Sequence, residues 1–130
     1  MPLEFGQQLD ANFAHWAELR TQSGWPVDLG QLKTVLSGIF EFYRPTGLYV
    51  FGSLVKGSYT AHSDLDLLIV VPDDAEPDRQ RTGYVVDAQF RHALPLDAFV
   101  MRQAQFNERR DWLNGLAGEA SSTGVLLNAA

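Results

Sequence analysis

Asp64 and Asp66 flank Leu65 at the start of an apolar run that ends at Val71. Side chains alternate along a strand, so residues i and i+2 share a face. Both carboxylates then project the same way, roughly 7 Å apart along the chain. Like charges so placed repel one another unless a cation lies between them. Magnesium meets that need: it takes oxygen ligands, retains several waters and accepts further oxygens from substrate phosphates. Taken alone, an Asp-x-Asp also suits a solvated turn cap.

Other residues give the pair a context. Gly52-Ser53 directly follows the apolar segment Leu48-Tyr49-Val50-Phe51. A glycine there permits close approach to the backbone, and the N–H groups and Ser53 hydroxyl beyond it suit a phosphate. Lys56, in the same segment, offers a point charge for that phosphate. In isolation, Gly-Ser also fits an ordinary turn. Asp97 is a lone acid in Leu96-Asp97-Ala98-Phe99-Val100. Acids are rarely buried in such a strand without a partner. Asp97 therefore either joins the other two acids or sits at an exposed edge.

The elements that must hold these residues follow from patterning. A first helix is expected over 7–20, with Leu9, Phe13 and Trp16 on one face, broken by Ser23-Gly24-Trp25-Pro26. A second begins after the N-cap Asp28, with Gln31 three residues on. Its stripe is Leu29, Leu32, Val35, Leu36, Ile39, Phe40 and Tyr43, and Pro45 and Gly47 end it. Strands are expected over 48–51, 65–71 and 96–101. The polar connection 54–63 is compatible with a short helix at its start. Residues 76–94 read as a helix, although Tyr84-Val85-Val86 also suits a strand. A helix over 104–120 uses Phe106, Trp112, Leu113 and Leu116, and a short strand over 125–127 closes the pattern. Interleaved strands and helices predict one α+β (mixed α/β) domain. Its core is 28–127, and 1–27 is a helical extension expected to cover the core, with a dimer contact or a partner's docking site as alternatives.

Composition bounds the function. The chain has 130 residues, 45% of them hydrophobic, which suits a single core. It has no cysteine, so thiolate chemistry and disulfides are excluded. A formal net charge of −6 opposes a domain built to grip a long nucleic acid. It is compatible with carboxylates offset by bound cations, and equally with plain solubility. The longest apolar run, 67–71, is too short to span a bilayer, and the start lacks a signal-peptide pattern. The expectation is a soluble, cytoplasmic protein with no membrane partner.

Phe51-Gly52-Ser53-Leu54-Val55-Lys56-Gly57, followed by Ser63-Asp64-Leu65-Asp66-Leu67-Leu68-Ile69-Val70, resembles the DNA polymerase β-type nucleotidyltransferase superfamily. More narrowly, it is similar to the minimal nucleotidyltransferases. The shared pattern is Gly-Ser, ten residues, Asp-x-Asp and a later third acid on a strand. The resemblance spans roughly 48–127, ending in Gly124-Val125-Leu126-Leu127, and does not reach 1–27.

The resemblance implies a nucleotidyltransferase fold, a small mixed sheet flanked by helices. It implies Gly52, Ser53 and Lys56 on the triphosphate, and Asp64 and Asp66 on two magnesium ions. Asp97 would bind the catalytic ion and help activate the incoming hydroxyl. The implied reaction moves a nucleoside monophosphate, AMP from ATP by family preference. Members of this kind are often the antitoxin half of a two-protein module with a HEPN-type toxin, and some transfer AMP to a tyrosine of that partner. The alternatives are a small acceptor such as an aminoglycoside, and a non-catalytic partner-binding protein that keeps the fold. The domain is small for an enzyme enclosing two substrates, so a partner or a second copy of the chain is expected to complete the site. Lys56 stands where the family often has arginine, which keeps the charge and loses the bidentate fork.

The remaining candidates carry less. His62 is expected in an exposed loop, His15 and His92 are structural, and Arg79, Arg81 and Arg91 line a solvated helix face. Trp16, Trp25 and Trp112 are expected in the core or at a partner surface rather than as base-stacking platforms. Ser53 is not a nucleophile, because no histidine completes a triad pattern.

Overall fold

The computed structural model describes residues 14–112 and 115–127, with side chains from Ala17 onward. The elements run α1 (Ala14–Gln22), α2 (Leu29–Tyr43), β1 (Gly47–Phe51), α3 (Ser53–Lys56) and β2 (Leu65–Val71). A 3-10 turn (Pro77–Gln80), α4 (Gly83–His92), β3 (Leu96–Arg102), α5 (Gln103–Arg109), α6 (Leu116–Thr123) and β4 (Val125–Leu126) follow. Leu9, Phe13 and Leu113 from the expected stripes, and the side chain of Trp16, lie outside the described residues.

The four strands form one mixed sheet in the order β3-β2-β1-β4. β1 is antiparallel to both β2 and β4, and β2 is parallel to β3. The parallel pair needs a long crossover, which the 3-10 turn and α4 supply. Strand alternation divides the residues cleanly between two faces. Leu48, Val50, Leu65, Leu67, Ile69, Val71 and Leu96 join one cluster with α2 and α4. Phe51, Leu68 and Val70 join the other with Phe106 of α5 and Ala117 and Ala120 of α6. Because β2 is covered on both sides, it reads as a continuous apolar run rather than an alternating one.

α2 forms as its sequence dictates. Asp28 caps it, accepting from the Gln31 N–H at 2.9 Å. Leu32, Val35, Leu36, Ile39 and Tyr43 are buried, each worth roughly 1.5–3 kcal/mol of transfer free energy. The helix ends on Arg44 in the left-handed region at φ 46°, one residue before Pro45.

Two expected helices are divided. The 76–94 segment splits into the 3-10 turn and α4 around Arg81-Thr82. The 104–120 segment splits into α5 and α6. Gly118 explains the second break: a Cβ there would lie 2.1 Å from the Trp112 carbonyl oxygen, so α6 packs directly on the preceding chain. Trp112 is thereby left 52% exposed rather than on a helix stripe.

The described part of the N-terminal extension belongs to the core. Ala17 and Trp25 are each 1% exposed. The Trp25 indole N–H donates to the Ser63 carbonyl at 3.0 Å, and Arg20 Nε donates to the Leu54 carbonyl at 2.9 Å. Among the described residues, no helix is long and apolar enough to cross a membrane.

Candidate active site

The site forms where the end of β1 meets the starts of β2 and β3. Phe51, the last residue of β1, pairs with Asp66, and Asp66 pairs with Asp97 in the parallel ladder. Residues in register on neighbouring strands point to the same face at a strand spacing of about 4.8 Å. Asp66 and Asp97 are therefore side by side on the α5–α6 face, where that apolar cover runs out. Asp64 lies two residues before Asp66, just ahead of β2, and is exposed. Both readings open for Asp97 are met: it stands in register with Asp66, and it is exposed. β3 is an edge strand and Asp97 is exposed, because only one side of that strand is paired.

Gly52 fits against Asp66. A Cβ on Gly52 would stand 1.9 Å from Asp66 Oδ2, and the residue has φ 83°. Both facts exclude a side chain at this position. From Gly52 the chain turns into α3, whose Val55 and Lys56 N–H groups are used on the Gly52 carbonyl.

The electrostatics follow from this crowding. Asp66 is half-buried, and its carboxyl is pushed up to about 6. Burial is the first cause, followed by the charges of Asp97, Asp64 and Glu119, while Lys56 opposes the shift. Among the described residues, no salt bridge neutralises Asp64, Asp66 or Asp97. Lys56 instead pairs with Glu119 of α6 at 2.8 Å. Glu119 is the acid that sequence reasoning missed: nothing in Leu116-Ala117-Gly118-Glu119 marks it, and only the return of α6 over β1 and β2 brings it in. Arg20 was missed likewise; Trp25, expected in the core or at a partner surface, is buried, and the two hold the ends of the 54–63 connection. His62 is exposed, and Arg91 pairs with Asp87 on α4.

No three described His, Asp or Glu side chains enclose a metal ion by themselves. The donor set nevertheless suits a hard divalent cation: uncompensated carboxylate oxygens on one face, open to solvent. Magnesium in such sites completes its shell with waters and substrate phosphates.

Residues 29–116 match the family model of the nucleotidyltransferase domain. The chain belongs to that family. Gly52, Ser53, Lys56, Asp64, Asp66 and Asp97 all fall inside the matched segment. Nucleotidyl transfer is the activity of this family, and the mixed sheet flanked by helices is its fold. No curated protein matches the nucleotidyltransferase chain. Among solved structures it is similar to a chain of a "Crystal structure of the toxin-antitoxin with AMP-PNP", with a TM-score of 0.51 and 15% identity. That match covers 75% of this chain and 73% of the other. At this identity the likeness speaks for the fold.

Proposed function

We propose that this nucleotidyltransferase moves AMP from ATP to a hydroxyl acceptor at the Asp64, Asp66 and Asp97 face. The observation that carries this reading is the register of Asp66 with Asp97, with Asp64 two residues upstream and Gly52 packed on the Asp66 carboxylate. Asp64 and Asp66 would hold two magnesium ions, and Asp97 would share one of them. Bound there, such ions lower the pKa of the attacking hydroxyl and neutralise the departing pyrophosphate. The chain supplies the rest. Gly52 and Ser53 hold the triphosphate tail close to the backbone, and Lys56 contributes charge once it leaves Glu119. Asp97 receives the proton of the acceptor hydroxyl as its oxygen attacks the α-phosphorus. The bond from that phosphorus to the β-phosphate bridging oxygen breaks, and pyrophosphate leaves in line. Positioning and charge stabilisation are the protein's main contributions.

The acceptor we favour is a hydroxyl, such as a tyrosine, on a HEPN-type toxin partner, which makes the chain an antitoxin. Its fold likeness to a chain of a toxin-antitoxin structure with AMP-PNP supports this. So does α4, which exposes Val86 at 43% and Phe90 at 80%, four residues apart on one helix face. A small hydroxylated acceptor and pure sequestration of the partner are the competing readings.

The test is incubation with magnesium, α-labelled ATP and a lysate of the protein's own cells, beside Asp66→Asn and Asp97→Ala. Label on a protein, present only with the intact acids, establishes transfer and the acceptor class. Label on a small molecule redirects the acceptor. Partner neutralisation that survives Asp97→Ala without any label shows that binding suffices.

A further inference from the structure

The groove beside α5 and α6 adjoins the phosphate chemistry above and shares Lys56 with it. Its volume is about 660 Å³, within the range of small-molecule sites, and its lining includes Lys56, Arg110, Trp112, Glu119 and Ser122. Lys56 ends the helix that begins at Ser53, so the groove starts where the triphosphate tail is placed. Glu119 ties this end to the acids, because its charge reaches Asp66.

Trp112 is half exposed, with its backbone anchored. Its backbone N–H donates to the Arg109 carbonyl at 3.0 Å. Its carbonyl oxygen lies so close to Gly118 that a Cβ there would stand 2.1 Å away. The Arg109 guanidinium lies 5.4 Å from the centre of the indole ring, which backs the ring with a cation. The groove thus offers an aromatic surface and the Ser122 hydroxyl, with the cations Lys56 and Arg110 set beside the acids Asp111 and Glu119. A flat aromatic body matches the ring, and the end at Lys56 adjoins the place proposed for the phosphates.

We propose that this groove holds the nucleoside of the triphosphate, with Trp112 as the platform on which the base stacks. The proposal rests on the nucleotidyl-transfer reading and extends it to a base-binding residue. Aromatic stacking tolerates any base, so Trp112 sets affinity for nucleosides as a class. It reverses the sequence-based expectation for this residue, which treated it as core or partner surface.

Calorimetry on the full chain tests it, titrating ATP with magnesium and, separately, inorganic tripolyphosphate with magnesium. The proteins are wild type, Trp112→Ala and Trp112→Phe. Trp112→Ala is expected to weaken ATP about tenfold and to leave tripolyphosphate within about twofold, while Trp112→Phe regains most of the loss. Unchanged ATP affinity in Trp112→Ala overturns the proposal and leaves the transfer reading standing. Equal weakening of ATP and tripolyphosphate also overturns it, because the base is then not what Trp112 holds. A wild-type chain that binds neither ligand brings down both readings together.

Discussion

Gly52 and Asp66 meet across the end of the β1–β2 ladder with no room for a methyl group between them. A Cβ at 52 would lie 1.9 Å from Asp66 Oδ2 and 2.9 Å from its Cγ. Gly52→Ala therefore forces two changes: strain at φ 83° and displacement of the carboxylate. The backbone penalty is on the order of 1–3 kcal/mol. Moving a positioned group by about 1 Å costs transfer roughly 100-fold. Urea unfolding and the labelled-ATP assay read the two effects separately. Full transfer by Gly52→Ala would show that Asp66 need not stand where Gly52 lets it stand.

Asp66 makes stability depend on pH. Its carboxyl is raised from 3.8 to about 6 in the fold, first by burial and then by neighbouring acids. The folded state thus holds this proton more tightly than the unfolded chain does. Stability falls as pH rises from about 4 through 6, where the folded form must give the proton up. Asp66→Asn removes that loss and, with the shift discounted for solvent screening of a half-exposed group, is expected to be more stable than wild type at pH 7.5 by about 1 kcal/mol without divalent ions. Thermal melts at pH 4 and 7.5 in a chelator measure the difference. A wild-type to Asp66→Asn gap that is the same at both pH values would contradict it.

How much of this was legible in the sequence depended on the range of each interaction. β2 was readable to its ends because both faces are buried, and Asp66 is its only polar break. The cap at Asp28 was readable because its hydrogen bond spans three residues. The third acid and an edge position for it could both be proposed from its strand, but not the choice between them, since strand order is set by pairings far apart in sequence. Glu119 and Arg20 gave no local signal at all. Their partners lie in α3, reached only when α1 and α6 close over the sheet. The α5–α6 break was missed for a similar reason: the demand on Gly118 comes from the carbonyl of Trp112 in the folded chain.

Arg20 and Trp25 of the N-terminal segment should matter to the site through the connection they hold. Arg20 holds the Leu54 carbonyl and Trp25 holds the Ser63 carbonyl, the two ends of the segment between Gly52-Ser53 and Asp64. Trp25→Phe keeps most of the packing and loses the hydrogen bond, so a loss of about 1 kcal/mol is expected. Trp25→Ala should cost about 3–5 kcal/mol, because Trp25 is 1% exposed. Hydrogen exchange across 54–64 should quicken in Trp25→Phe before global stability changes much. Exchange confined to wild-type rates would mean that the connection is held by its own turns.

Lys56 and Glu119 give the last prediction. Their ion pair, at 2.8 Å, occupies the lysine that would otherwise face a phosphate, and Glu119 adds to the repulsion at Asp66. Both groups are partly exposed, so the pair itself contributes little stability, about 0–1 kcal/mol. Its effect should appear in binding. Glu119→Gln frees Lys56 and removes one negative charge from the path of an incoming triphosphate, so magnesium tripolyphosphate should bind about threefold to tenfold tighter. Lys56→Ala should weaken the same ligand about tenfold. The double variant should resemble Lys56→Ala, with some gain kept from the lost Glu119 charge. High salt should compress all of these differences, because the groups are reached by solvent. Calorimetry with tripolyphosphate at low and high salt reads the whole series, and a Glu119→Gln chain that binds more weakly than wild type would show that Glu119 positions Lys56 for the phosphate rather than withholding it.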